Sequence, residues 1–252
     1  MITSDAGKQR KRERDTFKKP RQTERWYAAR LREIARHVGQ IIRGFPPGDP
    51  ASLGPINTAL TAYAEAIDPW ARATAARMLL DVSRRDKKAW DNLSRIVGKT
   101  LANEIATTPI GHQMQALMAE QVGLIKSLPI EAAQRVHKLT IEGITTSARA
   151  REVSEMILAS SEVAQSRAML IARTEIGRTA TALTQARAAY VGSTGYIWRT
   201  VRDTSVRPSH KKMEGQFVRW DSKPVLDGME GHAGETPNCR CFPEVVLPDR
   251  FD

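Results

Sequence analysis

The strongest constraint in the sequence is a change of texture near residue 192. From Ser52 to about Gly192 the chain reads as one helical segment after another, with no strand-type alternation. Beyond Tyr190 glycines, prolines and turn residues appear, and short alternating runs replace the helices. Such a chain is mainly α: an extended N-terminal helical region followed by a small α+β module with a short antiparallel sheet. The expected divisions are a basic, flexible arm over 1–25, a helical region over 26–160 and the module over 161–252.

Within the helical region, Tyr27, Leu31, Ile34, Val38 and Ile41 recur at alternating spacings of four and three, a stripe down one side of a helix. Gly44 and Pro46–Pro47 stop it. So narrow a stripe suits either the chain's own core or a partner helix. Asp68–Pro69 is a helix-start signal, and the apolar residues Trp70, Met78, Leu79 and Val82 carry that helix to about Ser83. A second helix is expected over Asp86–Leu101, another through Met114, Leu117 and Ile125, and a fresh start near Pro129. Ser160 or Ser161 caps the last long helix, which runs to about Val191. His37, His112 and His137 lie on these helices without companions at metal-ligand spacing.

In the module, Tyr196–Arg202 (YIWRTVR), Gly215–Trp220 (GQFVRW) and Arg240–Val246 (RCFPEVV) read as short strands. The last begins at the only two cysteines in 252 residues, Cys239 and Cys241. Two cysteines make no disulfide framework, so a reducing compartment is expected. On a strand the pair shares one face with Cα atoms ~6.5–7 Å apart, beyond the usual disulfide range. Two same-face thiolates suit a tetrahedral Zn²⁺ better, at ~2.3 Å to each sulfur. His210 and His232, the weaker of the two, would complete a Cys₂His₂ set, with Asp203 orienting a histidine. Zinc is the one cofactor these residues suggest. The metal-free alternative is a polar network of Arg173, Glu175, Asp203 and Arg207 with His210 beside the thiols, and a disulfide is the third.

Catalysis finds little footing. HAGETPNCRC superficially parallels the zinc deaminases, but its histidine–glutamate spacing is one residue too long and its cysteine spacing one too short. A thiol nucleophile would need Cys239 or Cys241 activated by His210 and Asp203, and no oxyanion hole is visible in the sequence. The chain is therefore not read as an enzyme.

The order IARTE (Ile171–Glu175), Trp198, Asp203 with VRPSH (Val206–His210) and MEG (Met213–Gly215), then NCRC (Asn238–Cys241), resembles the Mu F-like head-morphogenesis proteins of tailed phages. The recurrent positions carried by the resemblance are Arg173, Thr174, Glu175, Trp198, Asp203, His210, Gly215, Cys239, Arg240 and Cys241. It implies a minor capsid protein in few copies, incorporated with the portal during procapsid assembly and lying near packaged DNA. The implied partners are the portal protein, docked by the helical region, a major capsid or scaffolding protein, and double-stranded DNA. The implied place is the virion interior, after assembly in the host cytoplasm. A free DNA-binding protein and, less so, a metal-dependent enzyme are the rival classes. The same module occurs joined to toxin domains, but only six residues follow Val246 here, so none is expected on that side.

Net charge is +11 and no apolar run is long enough to span a bilayer, so no membrane partner is expected. Much of the charge is concentrated: residues 8–25 hold nine Lys/Arg, among them Lys8, Arg10, Lys11, Arg12, Arg14, Lys18 and Lys19. Such a run is either a nucleic-acid-binding arm or a solubilising tail. If it binds duplex DNA, replacing Lys8, Arg10, Lys11, Arg12 and Arg14 with Gln should flatten the log–log salt dependence of binding by up to roughly 4–5 units, at ~0.9 per phosphate contact. An unchanged slope, measured by salt titration of binding, would assign the arm to other contacts.

Overall fold

The computed structural model describes Phe17 and residues 20–46, 49–145 and 150–249. The basic residues Lys8, Arg10, Lys11, Arg12, Arg14, Lys18 and Lys19 lie outside them. The expected architecture is the observed one. Helices α1 (Arg21–Arg43), α2 (Leu53–Ala66), α3 (Asp68–Val97), α4 (Lys99–Thr107), α5 (Gly111–Thr145), α6 (Ala150–Leu158) and α7 (Ser160–Tyr190) precede all strands. Strand β1 (Gly195–Arg199), a short helix α8 (Pro208–Lys212), β2 (Phe217–Arg219), β3 (Val225–Leu226), β4 (Met229–Glu230) and β5 (Phe242–Val246) follow. No helix among the described residues is long and apolar enough to cross a membrane.

The chain forms two compact units drawn from interleaved segments. One comprises Glu24–Arg77 and Met118–Ala172; the other joins the stretch up to Thr23 with Met78–Leu117 and Arg173–Asp252. In the first, the α1 stripe is core rather than a free face: Tyr27, Leu31, Ile34 and Val38 are buried. Ile42 takes the buried place expected of Ile41, as the 3.6-residue period drifts past a strict heptad. The Tyr27 hydroxyl, inside that core, donates to Gln121 Oε1 at 3.0 Å.

Two expected helix breaks do not occur. Helix α3 runs unbroken past Ser83, because the stripe Ala75, Met78, Leu79, Val82, Asp86, Ala89, Trp90 stays buried through it. Asp86, where a second helix was expected to open, is instead interior: its carboxylate accepts from Thr184 Oγ1 (2.6 Å) and pairs with Arg187, both on α7. The break falls at Gly98, whose φ of 129° suits a residue without a Cβ. Helix α5 likewise continues through Pro129. Ile125, Leu128, Ala132 and Val136 stay buried on one side of it, and that burial outweighs the roughly 3 kcal/mol a helical proline costs.

In the second unit β1 is central, paired antiparallel with β2 and β5 in the order β2-β1-β5. Pro243 is tolerated because β5 is an edge strand. Its core joins Tyr196, Trp198, Val218 and Trp220 to Trp90, Leu101 and Ile105 from α3 and α4. Phe17 meets Trp90 edge-on at 5.5 Å. The β3–β4 hairpin, not anticipated, turns at Asp227–Gly228, both with positive φ (53° and 74°). An Asp-Gly pair is the sequence signal for that turn.

One face of α7 forms a socket for the loop before β5. Thr174, Gly177 and Thr181 lie three and four residues apart, on one side of the helix. Thr181 Oγ1 donates to the Ala233 carbonyl (2.7 Å), and Thr174 Oγ1 accepts from the Asn238 amide (3.2 Å). Between them a Cβ at Gly177 would stand 2.5 Å from the Gly234 carbonyl oxygen, a backbone atom that cannot swing aside.

Gly177→Ala is therefore expected to cost about 1–3 kcal/mol by overpacking, measurable by denaturant unfolding. Asp86→Ala, which strands the buried Arg187 guanidinium, should cost about 3–5 kcal/mol. Burial, working against Arg187, pushes the Asp86 carboxyl up to about 6, above its unfolded value of about 3.9. The folded state then binds the extra proton between these values, so Asp86's contribution to stability falls as pH rises through that window. The difference between parent and variant stability should follow that slope.

Candidate metal centre

The socketed loop and the short helix α8 bring three of the expected site residues together. Helix α8 starts with Pro208 at its first turn, where a missing N–H costs nothing, and presents His210 inward. His210 Nδ1 lies 3.4 Å from Cys239 Sγ and 3.5 Å from Cys241 Sγ. The three ligand atoms fall within 4.8 Å of one another, and the residues are only 2–4% exposed. The indole of Trp198 stands edge-on to the imidazole at 5.4 Å. Both cysteines are free thiols.

His232 is not part of this group. It is fully buried, and both ring nitrogens are engaged: Nε2 donates to the Trp220 carbonyl (3.2 Å), and Nδ1 meets the Tyr196 hydroxyl (3.2 Å). That hydroxyl in turn accepts from the Ala233 amide (3.1 Å). Burial first of all holds the His232 pKa below its ordinary value. A neutral imidazole with both nitrogens satisfied belongs to the core, and the expected fourth-ligand role passes from it.

Asp203 is also placed differently from the expectation. Its carboxylate accepts from Ser205 Oγ (2.8 Å), the Ser205 amide (3.1 Å) and Arg240 Nη2 (2.7 Å), and these donors, Ser205 first, hold its pKa down. It thus acts on the residue between the two cysteines and fixes the outward side of the Cys-x-Cys segment. The carboxylate near the histidine is Asp227, with Oδ2 4.0 Å from His210 Nε2 and 2.7 Å from its donor Ser209 Oγ. Arg207 Nη1 lies 3.3 Å from His210 Nε2, and Nη2 donates to the Pro237 carbonyl, joining helix α8 to the loop. Glu175 is buried and pairs with Arg178 at 3.2 Å; Arg173 lies beside it in sequence, at the start of the socket face. Asp227 went unnoticed in the sequence, although its Asp-Gly turn was there to find.

The two thiols titrate together. Cys239 is held well below the usual thiol range, first because the Cys241 S–H donates to its thiolate, with His210 adding to this against burial. Cys241 is pushed up by its neighbour's thiolate and by burial, while the Trp198 indole pulls the other way. Two sulfurs and an imidazole nitrogen converging in a desolvated place can hold a thiophilic cation, or share a proton.

The chain resembles known proteins over different lengths. An uncharacterized protein of Haemophilus influenzae is 27% identical over 256 residues, covering 95% of this chain and 57% of that protein. The NAD(+)–arginine ADP-ribosyltransferase EFV of Enterococcus faecalis is 30% identical over 122 residues, 44% of this chain and 25% of that protein. The chain thus spans little more than half of the first relative and a quarter of the second. No solved structure matches it. Residues 134–243, which contain the α7 socket, His210 and both cysteines, match the family described as Phage Mu protein F like protein.

Proposed function

We propose that the protein is a minor head protein of a tailed phage, incorporated with the portal during procapsid assembly and lying close to the packaged DNA. The observation that carries this reading is the family match over 134–243, since it covers the whole polar centre and runs into the start of β5. The burial of His210, Cys239 and Cys241 supports a structural rather than a catalytic role, because a substrate would have to displace the core to reach them. The net charge of +11 supports a position beside nucleic acid. The transferase activity named for the Enterococcus faecalis relative is not carried over, because the alignment covers only 25% of that protein.

The portal is the proposed first partner, with the major capsid or scaffolding protein next and double-stranded DNA last. Particles purified from cells expressing the chain with its phage's head genes are expected to contain it, in fewer copies than the major capsid protein. Pull-down on the portal alone should recover it. A chain absent from washed particles yet tightly bound to free DNA would replace this reading with that of a DNA-binding protein.

A further inference from the structure

We propose that His210 Nδ1, Cys239 Sγ and Cys241 Sγ form a zinc site, completed by one oxygen from water or the main chain and positioned by Asp227. The site is independent of the assembly role above.

The distances suit a metal. Zn–S bonds of ~2.3 Å and a Zn–N bond of ~2.1 Å at tetrahedral angles put nitrogen and sulfur about 3.6 Å apart. The observed separations are 3.4 and 3.5 Å. All three ligand atoms lie within 4.8 Å of one another. The indole of Trp198, edge-on to the His210 ring at 5.4 Å, closes the buried side of the group. Two adjacent buried thiolates form only when a cation neutralises them, and Zn²⁺ with two thiolates and a neutral imidazole carries no net charge.

Metal binding also dictates a rearrangement at the far side of the ring. In the metal-free state Arg207 Nη1 can donate to Nε2, which leaves the proton on Nδ1. With zinc on Nδ1 the proton must move to Nε2, where it faces the Arg207 donor and needs an acceptor. Asp227 Oδ2, at 4.0 Å, is the carboxylate recorded at that nitrogen, and a small rotation closes the gap. Ligating histidines ordinarily hand this proton to a carboxylate, which fixes the ring and strengthens the ligand. Asp227 is thus a positioning residue, held by Ser209 at 2.7 Å. The ligands come from two segments, α8 and the approach to β5, so the ion would tie the excursion between β1 and β2 to the third strand.

The test uses the full chain purified under reducing conditions without chelator. Elemental analysis should find about one zinc per chain, and cobalt in its place should give thiolate-to-metal charge-transfer bands with the d–d pattern of a tetrahedral site. The cobalt spectrum needs no variant, so it remains decisive if substitutions impair folding. Cys239→Ser and Cys241→Ser should each abolish the charge-transfer signature at that stoichiometry. Asp227→Asn should keep the spectrum while weakening affinity 10–100-fold, as loss of a carboxylate behind a ligating histidine does. A protein that takes up neither zinc nor cobalt, or that binds cobalt without thiolate bands, overturns the site. Unchanged affinity in Asp227→Asn overturns the role given to that carboxylate.

Discussion

Everything in the polar centre depends on how closely one loop approaches one helix. The chain before β5 lies against α7 at Gly177, where the Gly234 carbonyl occupies the space a methyl group would need. The threonines on either side convert that approach into register, one accepting from Asn238 and the other donating to Ala233. Cys239 follows Asn238 directly, so its distance from His210 is set by a contact with a different element altogether. A looser fit would carry the first thiol away from the imidazole while leaving Cys241, anchored at the start of β5, in place. The centre is thus assembled by backbone proximity, and its chemistry is downstream of that packing.

Charge is sorted by depth around this centre. The inner shell is buried: two sulfurs, an imidazole and an indole edge. The outer shell is fully ionic, with Asp203 on Arg240 and Arg207 near Asp227 at the surface. Surface ion pairs contribute little stability each. Their value here is directional, because Arg240 sits between the cysteines and points away from them while Arg207 spans from helix α8 to the Pro237 carbonyl. Each fixes the backbone on which a buried ligand atom is mounted.

Much of this was legible in the sequence, for identifiable reasons. The strands of the main sheet announce themselves by short alternating runs between turns, and α7 by its serine start. Cys239 and Cys241 share a face because the strand period is two, and His210 follows from its place in the excursion between β1 and β2. What could not be read was the competition for polar atoms. His232 looks like a ligand by type and spacing, but the Trp220 carbonyl and Tyr196 hydroxyl claim its nitrogens, and nothing local to residue 232 signals that. Asp86 likewise stands where a separate helix was expected to open, and only its partners on α7 reveal an interior charge. Pro129 was misread because a buried stripe on both sides of a proline holds a helix together that local propensity would end.

The core of the sheet unit has a consequence for how this family segment travels between proteins. Trp90, Leu101 and Ile105 pack into the same cluster as Trp198, Cys239 and Cys241, yet they precede the segment 134–243 that matches the family. In this chain the matched stretch therefore brings its polar centre but borrows its roof from the helices before it. A recombination junction cut at the edge of the matched segment would leave the inner face of β1 open to water. The packing unit is larger than its recognisable signature, and part of it is written in helices that carry no motif at all.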